Sequence, residues 1–168
     1  MRRSLLLLSG LLLTSCAGYH FGGNKPDHLG GVDSICVPLA TSRVIFPRIE
    51  VITTNTAVDA LVGDGTYRLA RNDKADATLV LTLEQLNYSQ VRSSTVDVLR
   101  SEELQIEVLV SYKLIDQKRP GMVLDQGKER GFSRLFVDDN LQTARINALP
   151  DALERASKSI IARLADGI

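Results

Sequence analysis

The chain contains no tryptophan, and aromatic residues make up only 5% of it. That disfavours a platform for stacking sugars or bases, which needs exposed aromatic faces. Two cysteines and two histidines in 168 residues offer little for a disulfide framework or a metal centre. Charge of one sign is lacking too: 20 Lys and Arg stand against 20 Asp and Glu. A nucleic-acid binder usually carries a basic excess and a disordered tail a net charge, and neither is found. No GxxxxGKS/T, GxGxxG, CxxC or HExxH pattern occurs. No apolar run approaches the ~20 residues that cross a bilayer as a helix. What remains is a length suited to one domain with its own core.

The N-terminus carries the first positive signal. Arg2 and Arg3 precede an apolar run from Leu5 to Leu13, broken only by Ser9 and Gly10. A short run behind a basic start has the form of an export signal. It ends in Leu13-Thr14-Ser15-Cys16. This resembles the bacterial lipobox, in which the cysteine thiol takes a diacylglycerol and cleavage leaves that cysteine first. Residues 1–15 are therefore expected to be a signal peptide and Cys16 the lipid attachment site. Several acyl chains make a firm anchor, since each buried CH₂ contributes about 0.8 kcal/mol. Ala17 follows, and the absence of an acidic residue there suggests delivery to the outer membrane. Losing Arg2 and Arg3 leaves 18 basic against 20 acidic residues, a net of −2. Cys36 is then alone, in the apolar run Ile35-Cys36-Val37, and reads as a core thiol.

Residues 16–31 hold five glycines and a proline and read as a flexible, lipidated tether. Both histidines, His20 and His28, lie in it and read as solvated rather than metal-bound. No histidine lies in the domain at 32–168, so a histidine-based triad has no base there. The expectation is no catalytic residues, no metal and no cofactor.

Within the domain, Val32 to Leu39 reads as a strand that Pro38 ends or places at an edge. Residues 40–46 read as a loop, and Pro47 suits the first turn of a helix. Ile49, Ile52, Thr53, Thr56, Ala57, Ala60 and Leu61 recur at helical spacing, with Gly63 and Gly65 as the stop. Thr66 to Leu69 is a short extended piece. Ala77 to Val91 is a long strand whose apolar phase switches near Glu84-Gln85, the mark of a β-bulge. From 102 to 115 Leu104, Ile106, Val108, Val110, Tyr112 and Leu114 alternate with more polar residues, giving one buried and one wet face. Met122 to Phe136 reads as a polar strand at or near an edge. A long amphipathic helix follows Asp138-Asp139-Asn140, and Pro150 predicts a kink or break in it. The fold class is α/β (α+β): a two-layer sandwich, β-α-β-β-β-α, with a four-stranded, mostly antiparallel sheet and two helices on one face.

Several phrases in this order resemble the LptE family of lipopolysaccharide-assembly lipoproteins. They are Cys16-Ala17-Gly18-Tyr19-His20-Phe21, Val37-Pro38-Leu39, the Pro-led helix and Asp64-Gly65-Thr66-Tyr67-Arg68-Leu69. Ala75-Asp76-Ala77 before a long strand and Phe136-Val137-Asp138-Asp139-Asn140-Leu141-Gln142-Thr143-Ala144 complete them. The resemblance spans residues 16–168 and includes no catalytic signature. It implies an outer-membrane lipoprotein, facing the periplasm or a barrel lumen, that is not an enzyme. Its partners would be an LptD-type β-barrel, which it plugs, and lipopolysaccharide. A strand, a helix and Ala75-Asp76-x-x-Leu79 also resemble penicillin-binding-protein activators and the N-terminal domain of TolB. On that alternative the chain is a periplasmic activator or scaffold of a cell-envelope enzyme.

Lipopolysaccharide carries phosphates, which arginines bind best. Arg92 and Arg100 lie in the 89–101 connection. In an antiparallel meander Arg134 falls at the same end. If the first strand runs parallel to the second through a right-handed crossover, Arg43 and Arg48 join them. These five are the candidate lipopolysaccharide or barrel contacts. The competing reading is ordinary surface ion pairs, with Asp97, Glu50, Glu102, Glu103, Asp138 and Asp139 nearby. Lys118 and Arg119 fall at the opposite end and serve as a comparison.

Overall fold

The computed structural model describes residues 25–92, 102–137 and 141–167. The signal peptide at 1–15, Cys16 and most of the tether lie outside these residues. After a 3-10 turn at Asp27–Leu29 come β1 (Ser34–Cys36), β2 (Thr41–Ser42), α1 (Ile49–Asp64) and β3 (Arg68–Leu69). Then follow β4 (Ala77–Arg92), β5 (Glu102–Asp116), β6 (Val123–Val137) and α2 (Leu141–Asp166). The sheet order is β3-β1-β4-β5-β6, with β2 also pairing β4. β1 and β2 run parallel to β4, and β4, β5 and β6 form an antiparallel meander. The two-layer α+β architecture is as expected, with six strands among the described residues in place of four.

The two added strands are each two residues long, too short to show a period. The first strand is three residues rather than the eight of Val32 to Leu39. Pro38 has no N–H to donate, so the chain leaves the ladder and rejoins it at β2. There Thr41 and Thr82 share a hydroxyl–hydroxyl bond of 2.8 Å, and the Arg43 N–H donates to the Leu83 carbonyl at 2.9 Å. On the other side the Arg68 and Ala70 N–H groups donate to the Asp33 and Ile35 carbonyls, making β3.

The phase switch in β4 is a true register shift, between Leu83 and Gln85. It keeps Leu79, Leu81 and Leu83 buried before it, and Leu86 and Tyr88 packed against the core after it. From β5, Ile106, Val108, Val110, Tyr112 and Leu114 join the same face. α2 lies on β5 and β6 through Leu149, Ala152, Leu153, Ala156 and Ile160, with α1 packed beside it. Of the kink or break expected at Pro150, the break is absent: the helix runs on through it. Leu149 and Leu153 are fully buried on either side and hold both halves to the sheet. Ile146, whose carbonyl Pro150 deprives of a donor, is exposed, so water can reach that region.

α1 begins two residues after Pro47, with Arg48 at the N-cap, and ends at Gly65 in the left-handed conformation (φ 79°). The packed chain begins before the domain boundary expected at residue 32. Leu29 is fully buried, and Lys25 donates to the Val32 carbonyl and the Asp33 carboxylate while lying over the Tyr67 ring. Cys36 is half-buried, and burial pushes its thiol pKa up.

Candidate functional site

β4, β5 and β6 are 16, 15 and 15 residues long, against a usual strand of about 5–6. At about 3.4 Å per residue they make a plank of roughly 50 Å. The helices lie on one face of it. Among the described residues no element covers the other face. That face alternates out of the core: Glu103 is followed on β5 by Gln105, Glu107, Leu109, Ser111 and Lys113, which stand opposite Arg134, Phe132, Arg130, Lys128 and Gln126 of β6 in turn.

Two ion pairs cross it. Arg130 reaches Glu107 at 2.9 Å and Arg134 reaches Glu103 at 3.5 Å. Between the two arginines stands Phe132, 42% exposed. At the outer edge of β6 a cleft of about 570 Å³ is lined by Gln105, Phe132, Ser133, Arg134, Asp151 and Arg155. Asp151 is held below its ordinary pKa first by a hydrogen bond from Ser133 and then by Arg155, which lies 3.2 Å away. The cleft therefore offers one ring and two guanidinium groups, each already facing a carboxylate.

The four candidate arginines among the described residues do not gather at one end. Arg134 and the Arg92 backbone share the far end of the meander: Arg92 stands opposite Glu103, the residue Arg134 pairs with. Arg100 lies outside the described residues. Arg43 sits lower, where its guanidinium meets Glu84 at 2.8 Å and the Ser111 hydroxyl donates to the same carboxylate at 2.8 Å. Glu84 is the extra residue of the bulge. Arg48 heads α1, with its side chain exposed. The reason for the split is the reach of the parallel segment. The chain from β1 runs beside β4 only as far as Leu83, and β4 continues another nine residues, about 30 Å.

Lys118 and Arg119, at the opposite end, are structural. Asp76 accepts from the Asp33 and Ser34 N–H groups, the Ser34 hydroxyl and Lys118. Asp116 accepts from the Lys118 and Arg119 N–H groups and the Arg119 side chain. With His28 and Leu124 they line a second cleft of about 360 Å³. Among the described residues no group of three His, Cys, Asp or Glu side chains is placed to hold a metal ion.

Sequence reasoning missed Phe132, Asp151 and Arg155. Asp151 and Arg155 stand at i, i+4 spacing on a helix, a visible pair, but nothing local says that β6 brings Phe132 and Ser133 beside them.

The class defined by these elements is a two-layer α+β sandwich with an extended three-stranded meander. No protein-family model matches the chain, and no curated protein matches it. Solved structures share the fold. A PelC dodecamer from Paraburkholderia phytofirmans aligns at 15% identity over 85% of this chain and 94% of that one, with a TM-score of 0.54. The protein XCC0632 of Xanthomonas campestris aligns at 10% identity over 77% and 81%, with a TM-score of 0.57. A minor lipoprotein of Acinetobacter baumannii aligns at 7% identity over 79% and 92%, with a TM-score of 0.50.

Proposed function

We propose that the chain is a lipid-anchored lipoprotein of the bacterial cell envelope, held by Cys16, and that it acts as an LptE-type component of lipopolysaccharide assembly. On this reading it is not an enzyme and needs no cofactor. It stands in the outer membrane, plugs the lumen of an LptD-type β-barrel and helps to pass lipopolysaccharide to the outer leaflet.

The observation that carries the reading is the bare face of the β4–β6 meander. A body seated in a barrel needs a long face that is neither a dry core nor fully charged. Here Phe132 and Leu109 alternate with the ion pairs of Arg130 and Arg134. The cleft holding Arg134 and Arg155 beside a ring matches an acylated, phosphorylated glycolipid in chemistry. The lipobox at Leu13 to Cys16 and the family-like phrases along residues 16–168 support the same reading.

The test is extraction of membranes in mild detergent, capture of the lipoprotein and mass spectrometry of what comes with it. A stable complex with one large β-barrel is expected. Capture of an inner-membrane synthase with no barrel would overturn the reading in favour of the envelope-enzyme activator or scaffold.

A further inference from the structure

Residues 43–48 read Arg-Val-Ile-Phe-Pro-Arg: three apolar residues and a proline between two arginines. The loop links β2 to α1. Ile45 at its tip is fully exposed. Val44 and Phe46 are half-buried and pack on the core from either side, so the tip is held out on a fixed base. Two more exposed apolar residues lie on the segments that flank the loop in the chain. Leu39 is 64% exposed and Val51 47%. The Ala40 N–H donates to the Thr54 hydroxyl at 2.8 Å, which ties the Leu39 segment to the first turns of α1, where Val51 and Thr54 share a face. Three large exposed apolar side chains within thirteen residues, on a segment tied back to α1, are more than the scattered single exposures of an ordinary surface.

Arg48 adds an independent sign. It takes φ 58°, the one non-glycine residue with positive φ among those described. It also occupies an N-cap without making a side-chain cap bond. Asn, Asp or Gly would suit both positions better. Neither the backbone angle nor the cap favours arginine, so its place here points to a use for the exposed guanidinium. Arg43 keeps 72% of its side chain exposed although it pairs with Glu84.

We propose that this loop seats on an anionic phospholipid surface, with Ile45 entering the acyl region and Arg43 and Arg48 meeting headgroup phosphates. The inference concerns the free lipoprotein before it meets a barrel. It rests on the reading above only for the anchor that brings the loop to the leaflet. The geometry permits both contacts at once. The nine residues from Cys16 to Lys25 can span up to about 30 Å. The loop stands about 20 Å along β4 from the level of β1, beside which Lys25 is fixed. Glu84 is only 12% exposed beneath Arg43, which is 72% exposed, so the apolar tip supplies the seating and the guanidinium is the group a headgroup meets.

The chain has no tryptophan, so Ile45→Trp introduces a single reporter. The full acylated protein is placed in barrel-free vesicles of phosphatidylethanolamine and phosphatidylglycerol. Its emission is expected to shift to the blue and to be quenched by nitroxide-labelled acyl chains. Leu39→Trp should respond in the same direction, and Val62→Trp, exposed near the other end of α1, should stay solvent-like. Arg43→Gln and Arg48→Gln should each lower the inserted fraction relative to the free one about fivefold. Solvent-like emission from Ile45→Trp and Leu39→Trp overturns the proposal. So does a blue shift without lipid quenching, which would mean burial against protein, or equal seating on wholly neutral vesicles. Mass spectrometry of the Cys16 peptide from the same sample separates failure of the anchor from failure of the loop. Unacylated protein mixed with the same vesicles still reads the loop.

Discussion

Gly131 of β6 lies directly under Ala152 of α2. A Cβ on Gly131 would fall 1.8 Å from the Ala152 carbonyl oxygen and 2.7 Å from the Ala156 nitrogen. Backbone meets backbone here, so no flexible side chain can give way. This contact sets how closely α2 lies on the sheet, and with it the width of the cleft at Asp151 and Arg155. Gly131→Ala is expected to destabilise the fold by about 3 kcal/mol or more, read as a lowered midpoint in urea. Gly63→Ala provides the contrast. It sits in α1 with nothing within 4 Å of a built Cβ, and alanine there should stabilise by about 0.5–1 kcal/mol.

Asp76 should shape the acid limb of stability. Hydrogen bonds from Ser34 first, then from Lys118, hold its pKa at about 2, below the ordinary 3.8. The folded state thus binds this proton less readily than the unfolded chain. The contribution is complete above pH 3.8 and is lost as pH falls toward 2. Asp76→Asn should cost about 1–2 kcal/mol at neutral pH and flatten stability across that window. Urea midpoints at a series of acid pH values check it. A mutant whose acid limb keeps the wild-type slope would assign the effect elsewhere.

Tyr67 ties the first half of the chain to the last helix. Its hydroxyl donates to the Leu164 carbonyl at 2.6 Å, one of the last-turn carbonyls that α2 itself cannot satisfy. Burial first, then Asp64, Asp125 and Asp166, push its pKa up to about 12, and burial does the same for Tyr112. The sign is opposite to that of Asp76: the contribution is whole below pH 10 and is lost as pH rises through 12. Tyr67→Phe should cost about 1–2 kcal/mol by leaving that carbonyl unpaired. In a spectrophotometric alkaline titration, Tyr67→Phe and Tyr112→Phe should each remove one late-ionising phenol.

Periodicity made the long elements legible. The two-residue alternation of β5, the phase slip at Glu84 and the glycine stop of α1 are local signals, and each stands where the pattern put it. What stayed hidden depends on partners distant in sequence. β2 and β3 exist because Arg43 and Arg68 find carbonyls on neighbouring strands, not because two residues have any period. Pro150 is a reliable breaker only where nothing else holds the helix, and here Leu149 and Leu153 do. The five arginines were expected at one end because crossover topology joins the right strands. Only the register shows that β4 outruns the parallel segment by nine residues, separating Arg43 from Arg92 and Arg134. The edge cleft was illegible for the same reason, since Phe132 and Asp151 meet only once β6 and α2 have docked.

That separation redefines how the distal arginines are tested. Lys118 and Arg119 cannot serve as neutral comparisons, because both hold carboxylates that brace the lower end of the sheet. Lys128, on the same open face as Arg134 and exposed, is the better control. Arg134→Glu replaces a guanidinium beside Phe132 with a like charge to Glu103, so on the proposed function it would remove a phosphate partner and repel any phosphate that enters. Charge-assisted hydrogen bonds of this kind are worth about 1.5–3 kcal/mol, so loss of one should weaken retention of lipopolysaccharide about tenfold or more. Arg155→Glu, on the other wall of the cleft, should act in the same direction, and Lys128→Glu should change retention little. Raising the salt concentration should narrow the gap between wild type and the Arg134 variant, because partly exposed charges are screened. Equal losses for Arg134→Glu and Lys128→Glu would show that the face acts only through its overall charge, and no loss from either arginine variant would take the ligand away from this cleft.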